Sequence, residues 1–483
     1  MMRAAHSVIT FSTNFISEFS MKNYSALAAL TATVFYGSTV AALPSSHDRV
    51  YTADQNSNTV SVIDPATNTL LGQIKLGNPR PDLLSPLYKG QINVHGMGFS
   101  PDHKTLVVVS NGSNSVTFID TATNAVKGTT YVGRSPHEGF FTADGSEVWV
   151  VVRGEDYVSV IDPKTYKEKR RIQTDPGPGM VMFAPDGKLA FVVSSFTAKV
   201  SVVDVKTHKI VKKIDVVSPF SPFVQFTPDF REIWMTHKDV GKVTRIDTKT
   251  LEVTGVTDIG FITNHLAFAE VNGKTLAYVT VGGENAVKVY TTDKEAKLVS
   301  TIPTGALPHG IWRSDDGSRL YVGLENGDAV DVIDPVVGKV VARIPVGQAP
   351  QALAYVSNVI AQGEGKDNLV PRVNSDPANL SLKPVKEDAR GFVVLRNLGL
   401  VDALEVNLFR LKPKTVYSVY LNGKEMPAAS FQTDQKGNAN GTMIAPLRTP
   451  AKAGSTDASA TNSIIVMQGD APVDAKAAAL INL

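Results

Sequence analysis

The sequence predicts an all-β protein, a seven-bladed β-propeller followed by a small C-terminal β-sandwich, and three observations lead there. First, one short apolar pattern recurs seven times and ends in Asp in six of them: Val60–Asp64, Val116–Asp120, Val158–Asp162, Val200–Asp204, Val243–Asp247, Val287–Thr291 and Val330–Asp334. The intervals between last residues are 56, 42, 42, 43, 44 and 43, a fixed period of the kind that marks a solenoid, propeller or array. Second, each copy reads as four short strands joined by Gly/Asn/Asp turns, as in HGMGFS (95–100), LVVVS (106–110), VTFID (116–120) and the more polar 125–132. Third, no stretch of the repeat has a 3.6-residue apolar period, so helices are not called for.

A four-stranded meander cannot bury both faces alone, but radial stacking does so and leaves only short edges. The order of strands predicts how the ring closes. The chain enters at Arg49–Ala53 in second-strand phase, and Gln351–Val356 supplies an extra first strand after the seventh copy. One blade is therefore expected to combine both ends of the propeller, 49–356. The Asp residues that end the copies (Asp64, Asp120, Asp162, Asp204, Asp247, Asp334) are expected to cap turns by accepting from backbone N–H groups rather than to form a carboxylate cluster. Asp144-Gly145, Asp186-Gly187 and Asp316-Gly317 read as hairpin turns.

Before the propeller, an apolar stretch from Tyr24 to Tyr36 follows Lys22 and leads to the small residues Thr39, Ala41 and Ala42. This basic, apolar, small-residue order predicts a secretory signal over 1–42, with Met21 as an alternative start, and a periplasmic or secreted protein. No later segment has 18 unbroken apolar residues, so no transmembrane anchor is expected after signal removal. After the propeller, 357–389 is polar and Pro/Asn-rich and reads as a linker. Short strand signals then resume over 390–483, where Leu404, Val406 and Leu408 alternate with Glu405 and Asn407, and predict a small sandwich.

Composition narrows the function classes. The 483 residues carry a net charge of +2, with 19% charged and 43% hydrophobic residues, which gives no general attraction to nucleic acid. The absence of cysteine excludes thiolate metal sites, disulfides and covalently attached c-type haem in this chain. Neither G-x-S-x-G nor H-E-x-x-H occurs, and GEGK at 363–366 lacks phosphate-loop spacing.

The histidines carry the functional signal. Aligned on the turn after the first strand, the seven copies place His95, His137, Gly179, Pro222, His265, His309 and Gln351 at one phase. The first strand of a blade lines the central channel, so His95, His137, His265 and His309 are expected at one channel mouth as candidate ligands of a transition metal (Cu, Zn or Fe). Gln351, Arg153, His237 and Glu138 are expected there as ligand-binding residues. The charged residues Arg134, Glu155, Glu284 and Glu325 are expected at the same end. An insertion at Asn78–Gln91, with Arg80, Asp82 and Tyr88, is expected over the same end. Three uses of the histidines stand open: a metal or cofactor, a small ligand held by hydrogen bonds, or plain inheritance of a structural position.

The strings VYTADQNSNTVSVIDPATNTLLGQIKLG and TLVVVSNGSNSVTFIDTATNAVKGTTYVG resemble the YVTN-type β-propeller repeat family. The family is similar to the propellers of surface-layer proteins, nitrous oxide reductase and the d1-haem nitrite reductases. The resemblance spans roughly Arg49 to Val356 and leaves an unrelated C-terminal part. It implies export and a binding surface. In nitrous oxide reductase a histidine ring holds copper, and a d1 haem takes an axial histidine; this chain lacks the full seven-histidine set. The expectation is an exported binding protein whose partner is a small molecule, a metal or a protein. The alternatives are a metal- or haem-dependent periplasmic enzyme, oxidoreductase or lyase/lactonase-like, and a structural or adhesive surface protein.

Overall fold

The structure, a computed structural model, describes residues 44–77, 92–372, 378–385, 389–397, 402–421, 426–445, 447, 463–469, 476 and 478–482. The predicted signal and the 78–91 insertion lie outside the described residues. Among the described residues, seven four-stranded antiparallel sheets form the blades. Blade 1 is Pro350–Val356, Arg49–Asp54, Thr59–Asp64 and Thr69–Lys75. Blades 2 to 7 follow in chain order, with inner strands Val94–Phe99, Pro136–Phe141, Pro178–Phe183, Val224–Phe226, Thr263–Val271 and Pro308–Arg313. Each inner strand packs against the next, and that of blade 7 meets that of blade 1, so the ring is closed. The closing join pairs Arg49 with Val356 and Tyr51 with Ala354, as the strand phases predict.

The recurring apolar run follows from this stacking. Second and third strands are covered by blades on both sides, so Val148–Val152 and Tyr157–Ile161 are buried without alternation. Fourth strands form the outer rim and alternate, as in Lys209–Asp215, where Ile214 is buried among exposed lysines. The terminal Asp residues cap turns: Asp64 Oδ1 accepts from Ala66 N at 2.9 Å, and Asp204 Oδ1 from Thr207 N at 2.7 Å. The turn after the second strand and the link entering the next blade share one end. Asn58 accepts from the Ile92 and Asn93 amides, Asn114 from Ser135, and Asn285 from Leu307.

The stretch expected as a linker, 357–389, is instead structured in its described parts. Val359 and Ile360 pack into the core of blade 1. Val370 bridges to Gln73, and Asn124 donates to the carbonyls of Gly365 and Asp367. Ala378–Pro384 is a strand of the C-terminal domain. Polar composition hid this because the segment bonds through backbone groups, which composition does not report. Among the described residues, the C-terminal domain is one eight-stranded antiparallel sheet folded over itself. Ala378–Pro384 joins the half built on Arg390–Asn397, Asp402–Phe409 and Ala439–Ala445 to the half built on Val416–Leu421, Ala429–Gln432, Ile464–Gln468 and Leu480–Asn482. Val393, Leu404, Val406, Val419 and Val466 meet in its core. Among the described residues, no helix is long and apolar enough to cross a membrane.

Candidate functional site at the propeller mouth

A β-bulge at one phase builds the site. In blade 2, Val94 pairs with Ser110 and Gly96 with Val109, which leaves His95 as the extra residue. Similar one-residue shifts span His137 in blade 3, Gly179 in blade 4, His265 in blade 6, His309 in blade 7 and Gln351 in blade 1. A bulge bends its strand and re-aims side chains. Here it turns the imidazoles out of the blade and toward each other. His95 and His137 have ring centroids 4.1 Å apart, His265 and His309 4.7 Å, and His95 and His309 6.4 Å. Inner strands must approach closely for this, and glycine permits it. A Cβ on Gly96 would lie 2.1 Å from the His137 carbonyl oxygen, and one on Gly310 2.4 Å from that of Gln351.

Two of the bulges, at Gly179 and Gln351, also offer a carbonyl to the histidine of the neighbouring blade. His137 Nδ1 lies 2.6 Å from the Gly179 carbonyl, and His309 Nδ1 3.0 Å from that of Gln351. Nδ1 must carry the proton to donate, so Nε2 of both rings keeps its lone pair. All four rings are at most 6% exposed. Burial, then nearby Arg153 or Lys238 and the other imidazoles, hold their pKa values well below the usual histidine range; His309 falls to about 3. The rings are therefore neutral at physiological pH, the state a metal requires of imidazole. Burial pushes the Glu138 carboxyl up to about 8, although the Met97 amide and Arg153 oppose the shift. His95 Nδ1, His265 Nε2, Glu138 Oε1, Ser195 Oγ and Glu325 Oε2 are buried without a hydrogen-bond partner.

The predicted residues divide. His95, His137, His265, His309 and Glu138 converge. Gln351 stands beside them and gives its carbonyl to His309. Arg153, half-buried, acts electrostatically on His95, His137 and Glu138. His237 does not join them, which corrects its expected place: its Nδ1 meets Ser221 Oγ at 3.1 Å and its Nε2 meets Thr244 Oγ1 at 2.7 Å, inside blade 5. It ends a second strand and points between strands rather than into the mouth. Glu284 pairs with Lys288, and Arg134 with Glu155, on the rim.

Sequence reasoning missed Lys238. Its charge acts on His95, His265 and His309, and burial lowers its own pKa while Glu325 opposes that. The signal was present: the residue just after each second strand is Gln55, Asn111, Arg153, Ser195, Lys238, Gly282 or Glu325, a second ring of equivalent positions above the histidine layer.

Below the layer the channel is plugged. Met97, Phe140, Phe223, Ile311, Trp312 and Leu353 surround a void of only about 10 Å³ next to Glu138 and His265. Above it lies the C-terminal domain. Arg396 reaches Asp328 and the Glu325 carbonyl in blade 7, Asn56 of blade 1 donates to Glu405, and Phe261 beside blade 6 meets Phe409 edge-on at 4.6 Å. A cleft of about 580 Å³ remains between Gln55, Asn58, Asn93, Glu325 and Gln351 on the propeller and Glu405, Asn407, Asn440 and Thr442 on the cover.

A family model described as a YNCE-like beta-propeller matches residues 131–374, from the outer strand of blade 2 through ring closure and into the segment that follows it. The chain belongs to the YNCE-like β-propeller family. No curated protein matches the sequence significantly. Among solved structures this YNCE-like chain is similar to hydrazine synthase from Kuenenia stuttgartiensis, at 23% identity and TM-score 0.50, covering 54% of this chain and 89% of that one. It is also similar to a functionally unknown protein from Desulfotomaculum acetoxidans, at 14% identity and TM-score 0.55, covering 64% and 99%. At these identities the likeness is one of fold.

Proposed function

We propose that this chain is an exported binding protein that takes a small polar ligand or a metal ion at the propeller mouth, between the histidine layer and the C-terminal domain. One observation carries the reading: four buried, uncharged imidazoles arrive from four separate blades, and His95 Nδ1, His265 Nε2 and Glu138 Oε1 are left without partners. Purely structural histidines would be satisfied by neighbouring strands, since an unmade buried hydrogen bond is costly. The apolar plug supports a dead-end site entered only from the mouth. The carboxamide- and carboxylate-rich cleft suits a hydrogen-bonding ligand better than a large apolar macrocycle such as haem. Export rests on the tripartite pattern of residues 1–42.

The test is a melting-temperature panel on tag-free mature protein with divalent metals, oxyanions and zwitterions. A ligand at 100 times its Kd stabilises by about 2.7 kcal/mol. That rise is expected in the wild type and is lost in a His95→Ala/His309→Ala variant. A rise that survives the double substitution places binding elsewhere, and recovery of the protein only in the cytoplasmic fraction removes the export part.

A further inference from the structure

We propose that His95, His137 and Glu138 are the three protein ligands of a divalent transition-metal ion, with the next coordination position left to a ligand entering from the cleft. This deepens the mouth-binding reading and rests on it. The donor atoms of these three buried side chains lie within 4.8 Å of one another. Two of them, His95 Nδ1 and Glu138 Oε1, sit 3.8 Å apart with no hydrogen-bond partner on either. The third, His137, holds its Nδ1 proton against the Gly179 carbonyl at 2.6 Å and so keeps Nε2 for a metal. An outer hydrogen bond of that kind orients metal-binding histidines and raises their basicity.

The bulge in blade 3 makes the triplet possible. Successive side chains of a regular strand point to opposite faces, so His137 and Glu138 would diverge. Between the pairs Pro136–Val152 and Gly139–Val150 the inner strand carries one extra residue, and both side chains reach the same spot. Water is a poor substitute there. The void beside Glu138 holds at most one molecule, and His95 is not among the residues around it. Two imidazoles and one carboxylate suit zinc, cobalt, copper or iron better than calcium or magnesium, which prefer all-oxygen sets. Three protein ligands leave a tetrahedral ion one open position. Arg153 acts on both His95 and His137, and Lys238 on His95, so an anion is the favoured fourth ligand. His265 and His309 form the opposite pair of the layer and are not needed as ligands.

The experiment strips tag-free full-length protein with EDTA, removes the chelator and titrates with Co²⁺ while recording visible absorption. One equivalent should saturate a tetrahedral-type band, Zn²⁺ should displace it, and azide should shift it. His137→Ala and Glu138→Gln should lose the band; His208→Ala, whose imidazole pairs with Glu147 outside the histidine layer, should keep it. Glu138→Gln is near-isosteric, and its melting temperature in EDTA shows that it is folded. Absence of a saturable band in the wild type, or the same band in His137→Ala and Glu138→Gln, overturns the proposal. The melting panel repeated in EDTA separates the two readings. If a metal-free anion still stabilises the wild type and not His95→Ala/His309→Ala, the mouth remains a binding site and only the metal assignment falls. If no probe acts in either condition, both fall.

Discussion

Replacing Arg396 by Met probes how the C-terminal domain is held over the mouth. The Arg396 side chain is wholly buried. Its Nη1 lies 2.6 Å from Glu405 Oε2, and its Nη2 donates to the Glu325 carbonyl at 2.7 Å and lies 3.3 Å from Asp328 Oδ1. Asp328 is wholly buried too, and its Oδ1 also accepts the Ala349 amide at 2.9 Å, so it cannot swing away without releasing the strand that closes the ring. Burial already pushes the Asp328 carboxyl up, with Arg396 opposing. Removing one partner of a buried ion pair costs about 3–5 kcal/mol. Glu405 is 21% exposed and recovers some hydration, which sets the loss near the lower end, about 3 kcal/mol. Undocking readmits water to Asp328, so the loss falls mainly on the docked state, shifting docking by roughly 150-fold. Limited proteolysis reads that population when opening is fast relative to cleavage. Release of the C-terminal domain should accelerate accordingly. Fluorescence of Trp149, Trp234 and Trp312, all in the propeller, should show a much smaller change in its denaturation midpoint. Adding Asp328→Asn removes the stranded charge and should recover part of the loss. Equal proteolysis of wild type and Arg396→Met, or no recovery in the double variant, would refute the latch.

The remaining predictions concern the ring and its inner layer. Thr52→Pro, in the strand between Pro350–Val356 and Thr59–Asp64, removes a ladder donor at the closing join and should cost about 3 kcal/mol or more, read as a lower urea midpoint. Gly310→Ala puts a Cβ 2.4 Å from the Gln351 carbonyl and should cost about 1–3 kcal/mol while breaking the His309 contact; an unchanged His309 imidazole resonance in NMR would count against the close-approach argument. Asp54, buried against the hydroxyls of Thr52, Thr59 and Ser61, has its pKa raised by burial to about 7. The folded state then binds a proton that the unfolded state has released, so stability falls as pH rises from about 4 to 7, by up to about 1.4 kcal/mol per pH unit from this group. Asp54→Asn should flatten that slope, and parallel pH profiles for the two proteins would exclude the shift.

The period and the closure were legible because stacking buries second and third strands on both faces, which demands runs such as VWVVV and VSVID in every copy. The histidine phase was legible for a related reason: a sevenfold repeat turns a position in sequence into a radius and height in space. The cover over the mouth was not. Its docking rests on Arg396, which the sequence presents beside Asn397 as an ordinary polar strand end, and on Glu405, which reads as the solvent side of an alternating strand. Such contacts join parts of the chain about 70 residues apart or more, and no local pattern encodes them.

The bulge was equally hidden, and it decides what the histidines do. With the ladder regular, His95 would face the neighbouring blade or the channel according to strand parity alone, and Glu138 would oppose His137. One extra residue in the inner strands of six blades changes that parity at the mouth. Blade 5 has no such shift: Pro222 precedes a three-residue inner strand, and its Phe223 stacks on His265 at 4.2 Å. The layer is therefore asymmetric. Blades 2 and 3 contribute His95 Nδ1 and Glu138 Oε1 without partners, and His137, whose Nδ1 faces the Gly179 carbonyl. Blades 6 and 7 contribute His265, stacked on Phe223 with its Nε2 unpartnered, and His309, whose Nδ1 faces the Gln351 carbonyl. The two pairs of histidines are alike in this respect; what distinguishes the His95–His137 side is the Glu138 carboxylate, 3.8 Å from His95 Nδ1, which is why the metal chemistry is assigned there.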